Sequence, residues 1–132
     1  KVTIPVKIPD RKADSVCDLE TLPQSALIYR LCGDLNPLHA DPKVAEVAGF
    51  EAPILHGRCT MGIAMRSILK NYCDYDPKRL RSMQVRFSAP FMPGETLRTE
   101  MWKEGESLFF RATAVERNVL VLNNGLAAIK SA

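Results

Sequence analysis

The sequence predicts an α+β fold in which a long helix is wrapped by a curved antiparallel sheet. Three observations predict it. An amphipathic helical stretch runs on from Gly57. From Met83 to the end, apolar and polar side chains alternate in segments parted by turn formers. The helical segments precede these strands instead of alternating with them, which separates helices from an antiparallel sheet. The chain has 132 residues, 46% hydrophobic and 25% charged, as expected of one globular domain over residues 1–132. That composition excludes a disordered, collagenous or coiled-coil chain. No apolar run approaches the roughly 18 residues that span a bilayer, so no membrane span is expected.

The elements follow in order. Val2 to Ile8 alternates and predicts a strand, and Val16 to Glu20 a second short one. Thr21-x-x-Gln24 has the form of a capping box and predicts a helix to about Leu31, with Pro23 in its first turn. Cys32 to Ala40, with Gly33, Asp34, Asn36 and Pro37, predicts an irregular loop. Asp41 then caps a short helix, with Pro42 at its first position and Gly49 past its end. In the long helix Met61, Ala64, Met65, Ile68, Leu69 and Tyr72 fall on one face. Gly62 within it costs about 1 kcal/mol of helix propensity, which close packing against a sheet could offset. The strands are expected at Met83–Ala89, Glu95–Lys103, Ser107–Glu116 and Val119–Ile129, with hairpin turns at 103–106 and 117–118. Asn124-Gly125 reads as a bulge or a close backbone approach. A helix wrapped this way is a hot-dog arrangement. One such layer leaves edges and a face poorly covered, so a homodimer is expected.

The net charge is +3 with neutral histidines, and no basic stripe with interleaved aromatics accompanies it. Nucleic acid is therefore not an expected partner. Cys17, Cys32, Cys59 and Cys73 form no C-x-x-C pair and are sparse for a secreted scaffold. They read as the reduced thiols of an intracellular protein. Lys1 to Pro5 shows no apolar signal region, and Lys130-Ser131-Ala132 is not the peroxisomal S-K-L tripeptide. The expectation is a chain with no targeting signal of its own.

Two clusters carry chemistry. Gly33-Asp34-Leu35-Asn36-Pro37-Leu38-His39 puts a carboxylate, an amide and an imidazole in one loop. Asp and His suit proton transfer near neutral pH, and a loop between two helices can turn both toward one water. The same residues are also ordinary turn formers, with Asp34 and Asn36 as caps and His39 as a packed helix-start residue. The second cluster is Ile54-Leu55-His56-Gly57, before the long helix. Free N–H groups and the helix dipole there suit an oxyanion hole at Gly57. Alternatively, Gly57 simply starts the helix. Asp34, His39 and His56 contain the donors of a two-His-one-carboxylate metal site, but lack a helical i,i+4 His pair. No metal is expected. Cys32 or Cys59 beside His39 would serve acyl transfer, though nothing in the sequence lowers a thiol pKa.

The string Tyr29-Arg30-Leu31-Cys32-Gly33-Asp34-Leu35-Asn36-Pro37-Leu38-His39, with Ala45 after a five-residue gap, resembles the signature of the (R)-specific enoyl-CoA hydratases. These are MaoC-like dehydratases of hot-dog fold. The likeness continues through Pro53 to Gly62, Val85-Arg86-Phe87, Pro93 to Leu97 and Glu100 to Gly105, nearly the whole chain. It is strongest to the hydratase domain of peroxisomal multifunctional β-oxidation enzymes. The resemblance implies hydration of a trans-2-enoyl-CoA to an (R)-3-hydroxyacyl-CoA, with no cofactor. It implies that Asp34 and His39 hold the catalytic water, that Asn36 orders the site, and that the Gly57 N–H meets the thioester oxygen. His39 is assigned as base and Asp34 as acid, the pair being able to divide the proton work either way. Arg58, Arg86 and Lys103 are candidates for substrate contact, although exposed basic residues are mostly just solvated. Peroxisomal location follows from the resemblance alone.

In the eukaryotic relatives the catalytic hot-dog is the second of two. This chain carries the catalytic-type half, which implies either a stand-alone unit that dimerises or a piece of a longer protein. Two other functions stay open: a hot-dog thioesterase using one carboxylate and the same oxyanion hole, and a non-catalytic acyl-CoA-binding half that needs a partner.

Overall fold

A computed structural model describes residues 5–131. Five strands, β1 (Ser15–Glu20), β2 (Leu80–Phe87), β3 (Thr96–Glu104), β4 (Ser107–Ala114) and β5 (Val119–Ile129), form one sheet. Their order is β1-β3-β4-β5-β2, and every pair is antiparallel. Three helices accompany them: α1 (Ser25–Tyr29), α2 (Pro42–Val47) and α3 (Gly57–Tyr72). α3 packs across β1, β2 and β3, so the expected hot-dog arrangement is the one found. β4 shows the cause most clearly. Leu108, Phe110, Ala112 and Ala114 are buried and alternate with half-buried neighbours, the period-two signature of a sheet with one face on the core.

The stripe that α3 buries differs from the expected one. Thr60, Ala64, Ser67 and Ile68 are buried, whereas Met61, Leu69 and Tyr72 are half-buried and Met65 is 39% exposed. The sheet selects the small side chains, whose size lets the helix backbone come close, and turns the long Met65 outward. Close packing does not offset the propensity cost of Gly62: a Cβ there would meet nothing within 4 Å. At Gly125 the close approach is real. A Cβ there would stand 2.5 Å from the Phe110 carbonyl oxygen, which only glycine avoids.

Two N-terminal expectations fail, one for a local reason and one for a tertiary one. Of the strand predicted over Val2–Ile8, residues 1–4 lie outside the described residues, and residues 5–8 are not in a strand. Pro5 and Pro9 bracket that segment and cannot donate to a ladder. It is instead tied to side chains of the sheet: Asn124 donates to the Val6 carbonyl at 2.7 Å and Trp102 to that of Arg11 at 2.8 Å. The Thr21 hydroxyl does not cap a helix. It donates to the Glu95 carbonyl at 2.6 Å and accepts from the Gly94 N–H at 2.9 Å. α1 starts later, at Ser25, with no side-chain cap from Gln24. α2 behaves as predicted: Asp41 accepts from the Lys43 N–H at 2.9 Å, and Gly49 (φ +87) lies beyond its end.

Candidate active site

The loop between α1 and α2 is two short 3-10 turns, Arg30–Cys32 and Pro37–His39, joined through Gly33. Gly33 has φ +111, a conformation that side chains disfavour. Asn36 caps the second turn: its Oδ1 accepts from the Leu38 N–H at 3.0 Å, and its carbonyl from the His39 N–H at 3.2 Å. Asn36 thus shapes the turn that carries His39.

His39 is buried and its Nδ1 lies 2.8 Å from the Ile54 carbonyl oxygen. A carbonyl only accepts, so Nδ1 carries the proton and donates. The neutral ring is then left with a free lone pair on Nε2, the arrangement a general base needs. Asp34 is exposed; its carboxylate accepts the Asn36 N–H at 3.3 Å. His56 is buried, stacks on His39 with centroids 3.8 Å apart, and faces Tyr29 at 4.6 Å. Ligand atoms of Asp34, His39 and His56 all lie within 4.8 Å of one another. That spacing alone would admit a metal. The ring planes, however, stand only 25° apart. Lone pairs of stacked rings run side by side, so one ion cannot lie in both planes at a metal–nitrogen distance of about 2.0–2.1 Å.

Gly57 is the first residue of α3, and its N–H has no intrahelical partner. A Cβ there would stand 3.1 Å from the Phe87 ring. The helix start thus faces an apolar cleft of about 320 Å³ lined by Ile54, Leu55, Thr60, Phe87 and Phe91 among others. A second cleft of about 280 Å³ is lined by His39, Ala26, Leu27, Pro53 and Met92. Pro53 lines this second cleft and its neighbours Ile54 and Leu55 the first, and the Leu55 N–H donates to the Phe91 carbonyl at 2.8 Å. The arrangement supplies a base nitrogen, a carboxylate and a free backbone donor beside apolar space.

The other candidates separate. Arg58 is exposed in the first turn of α3, next to Gly57, and Arg86 is exposed beside Phe87. Lys103 lies at the β3–β4 hairpin, with two strands between it and β2, the strand that carries Arg86. All four cysteines are unpaired. Burial pushes the Cys59 thiol up, away from the thiolate that a nucleophile needs. Two features escaped the sequence. One is the contact of His56 with the Asp34 carbonyl, across 22 residues. The other is a clamp in which the buried Glu95 accepts from Arg117 at 2.6 and 2.8 Å and from the Met92 N–H at 2.7 Å. The adjacency of His56 to Gly57 was the only local signal for the first. Nothing local signals the second.

Comparison with known proteins matches this geometry to a family. The model of the MaoC like domain matches residues 5–125. The chain is 50% identical over 117 residues to the peroxisomal enoyl-CoA hydratase 2 of Arabidopsis thaliana, covering 89% of this chain and 38% of that protein. It superposes with TM-score 0.95 and 40% identity on full-length peroxisomal multifunctional enzyme type 2 from Drosophila melanogaster, covering 98% of this chain and 24% of that one. The (R)-hydratase from A. caviae shares the fold at TM-score 0.70 and 20% identity, covering 95% of this chain and 100% of that one. The chain therefore spans well under half the length of the curated relative it matches. On the match across residues 5–125 and the hot-dog fold that carries it, the chain belongs to the MaoC-like dehydratase family.

Proposed function

We propose that this chain hydrates a trans-2-enoyl-CoA to the (R)-3-hydroxyacyl-CoA, and runs the reverse dehydration, in fatty acid β-oxidation. The observation that carries the proposal is the cluster of Asp34 with a His39 ring whose Nε2 is left free by the Nδ1–Ile54 bond. The names and identity of the Arabidopsis and Drosophila relatives support it.

The Gly57 N–H donates to the thioester oxygen, which draws electrons from the double bond and makes C3 electrophilic. His39 Nε2 takes a proton from water as the water oxygen bonds to C3. Asp34 in its acid form delivers a proton to C2. The product has gained one water, and the pair returns to its starting state when the proton passes back from His39 to Asp34. Acid and base on one side of the double bond give syn addition. The reaction is redox-neutral and asks for no cofactor. In this reading Asn36 holds the His39 turn, and Arg58 and Arg86 are the residues proposed to meet the CoA phosphates, with Lys103 as a further candidate.

The proposed assembly is a homodimer. Leu27, Ile28, Leu31 and Phe87 are exposed apolar residues, Leu31 at 80%, and β2 is an edge strand. A second hot-dog unit would cover them. No described helix is long and apolar enough to cross a membrane. The relative from Arabidopsis is named peroxisomal, and we extend that location to this protein.

The test mixes the purified chain with crotonyl-CoA and a longer trans-2-enoyl-CoA and follows the loss of enoyl-thioester absorbance. The chirality of the product and the mass in solution are scored beside Asp34→Asn. The expected result is an (R) product from a dimer, lost in the variant. A folded dimer without turnover would overturn the catalytic reading in favour of a binding half. Release of free CoA would replace it with a thioesterase.

A further inference from the structure

The mechanism above leaves one buried imidazole unused. His56 is only 1% exposed, and its Nε2 lies 3.2 Å from the main-chain oxygen of Asp34. That oxygen can only accept, so Nε2 holds the proton. Nδ1 is then a bare acceptor, buried and without a partner among the described residues. The ring also stacks on His39 with centroids 3.8 Å apart, which fixes its plane beside the loop.

The rest of the Asp34 loop has little hold on the core. Gly33, Asp34, Leu35 and Asn36 are all exposed. Within that run the Asp34 and Asn36 side chains bond only to backbone N–H groups two residues on. The His56 contact is the one hydrogen bond among the described residues that joins the Asp34 main chain to a buried side chain. His56 is itself anchored, because its carbonyl receives both the N–H and the hydroxyl of Thr60, at 3.0 and 3.1 Å.

We infer that His56 is a positioning residue: an Nε2–H imidazole that holds the Asp34 main chain in register with His39. The inference rests on the hydratase reading, in which Asp34 and His39 act on one water. It makes the two histidines opposite in tautomer, Nδ1–H at His39 and Nε2–H at His56, each set by a carbonyl partner. The chain has only these two histidines, so imidazole nitrogen NMR resolves both.

The first experiment is long-range ¹H–¹⁵N NMR of the ¹⁵N-labelled chain at neutral pH, with His56→Gln to assign the signals. The Nε2–H pattern at His56 and Nδ1–H at His39 are expected. An Nδ1–H tautomer at His56, which leaves Nε2 with no proton to donate, would overturn the inference whether or not the chain is a hydratase. The second experiment is kinetic, with folding of every variant checked by thermal melts. His56→Leu removes the donor and should lower kcat about tenfold or more with KM little changed, as expected of a misplaced group. His56→Gln keeps an N–H near the Nε2 position and should restore most of that loss. In an Asp34→Asn background, His56→Leu should add little, because both act through one residue. Wild-type kcat in a folded His56→Leu, no rescue by Gln, or full additivity with Asp34→Asn would each refute positioning through Asp34. If the wild type itself gives no turnover, the hydratase reading fails, and the NMR result still decides the tautomer and the tether.

Discussion

The sheet and the segment from Gly33 to Gly57 are held together in different ways. In the sheet, Leu97, Met101, Leu108, Phe110 and Leu122 are fully buried and join one apolar core. Burial is roughly proportional to area and has no required direction, so many contacts share the load. In the segment, the Asp34 main chain, the His39 ring and the Leu55 N–H each hang on one carbonyl bond, through His56, Ile54 and Phe91. A hydrogen bond is directional and is either made or lost. Damage to the sheet should therefore cost stability and spare turnover per folded molecule. Damage to the segment should do the reverse.

His39→Ala should widen that contrast most. Its kcat on a trans-2-enoyl-CoA is expected to fall about 10²–10⁴-fold. Stability should drop by only about 1 kcal/mol, the worth of one hydrogen bond to Ile54. Steady-state kinetics and urea unfolding on the same sample read both, and a large stability loss would erase the distinction. Phe110→Ala is the mirror case. It should cost about 3–5 kcal/mol in urea unfolding, with kcat per folded molecule unchanged.

Arg117→Ala tests the border between the two regions. It leaves the Glu95 carboxylate buried without its cation. Breaking a fully buried pair costs about 3–5 kcal/mol; Arg117 is partly exposed, so about 2 kcal/mol is expected. Residues 90–95 carry Phe91 onto the cleft beside Gly57 and Met92 onto the cleft with His39. KM should therefore rise together with the loss of stability. Unchanged KM would confine the clamp to the sheet.

The smallest effect expected is an acid slope in stability. Hydrogen bonds from Arg11 and the Lys103 N–H hold the Asp14 carboxyl below its usual range, and the Thr96 N–H does the same for Glu116. A carboxyl with a folded pKa below its unfolded value adds stability that is present above the unfolded value. That stability is lost as the pH falls through the folded value. Melting temperature should therefore decline below the usual carboxylate range, and Asp14→Asn should flatten the decline. Both groups are exposed, which keeps the effect small. A melting temperature that does not change on acidification would remove these two pairs from the account.

Much of this was legible in the chain before any coordinates. β3, β4 and β5 alternate with period two and are joined by short turns, and each was placed within two residues of its ends. Asp34, Asn36 and His39 sit in one loop, so the cluster that brings Asp34 near His39 could be seen as a string of letters. The failures have two causes, one local and one long-range. Val2 to Ile8 alternates like a strand, yet prolines at 5 and 9 keep its described part out of the ladder. Thr21 is a plausible cap by spacing, yet its hydroxyl bonds to Gly94 and Glu95, more than seventy residues away.

Backbone conformation follows from neighbours within a few residues: alternation makes a strand, Asp41 before Pro42 starts a helix, and Gly33 permits a left-handed turn. Those are properties of the chain as written. Which partner a side chain meets depends on segments brought together when the sheet closes over α3. That closure turned Met65 outward, set Phe87 against Gly57, closed Glu95 onto Arg117 and gave His56 the Asp34 carbonyl as its acceptor. A hydrogen bond or a packed face needs a partner at the right distance and angle, and three-dimensional proximity supplies it independently of separation along the chain.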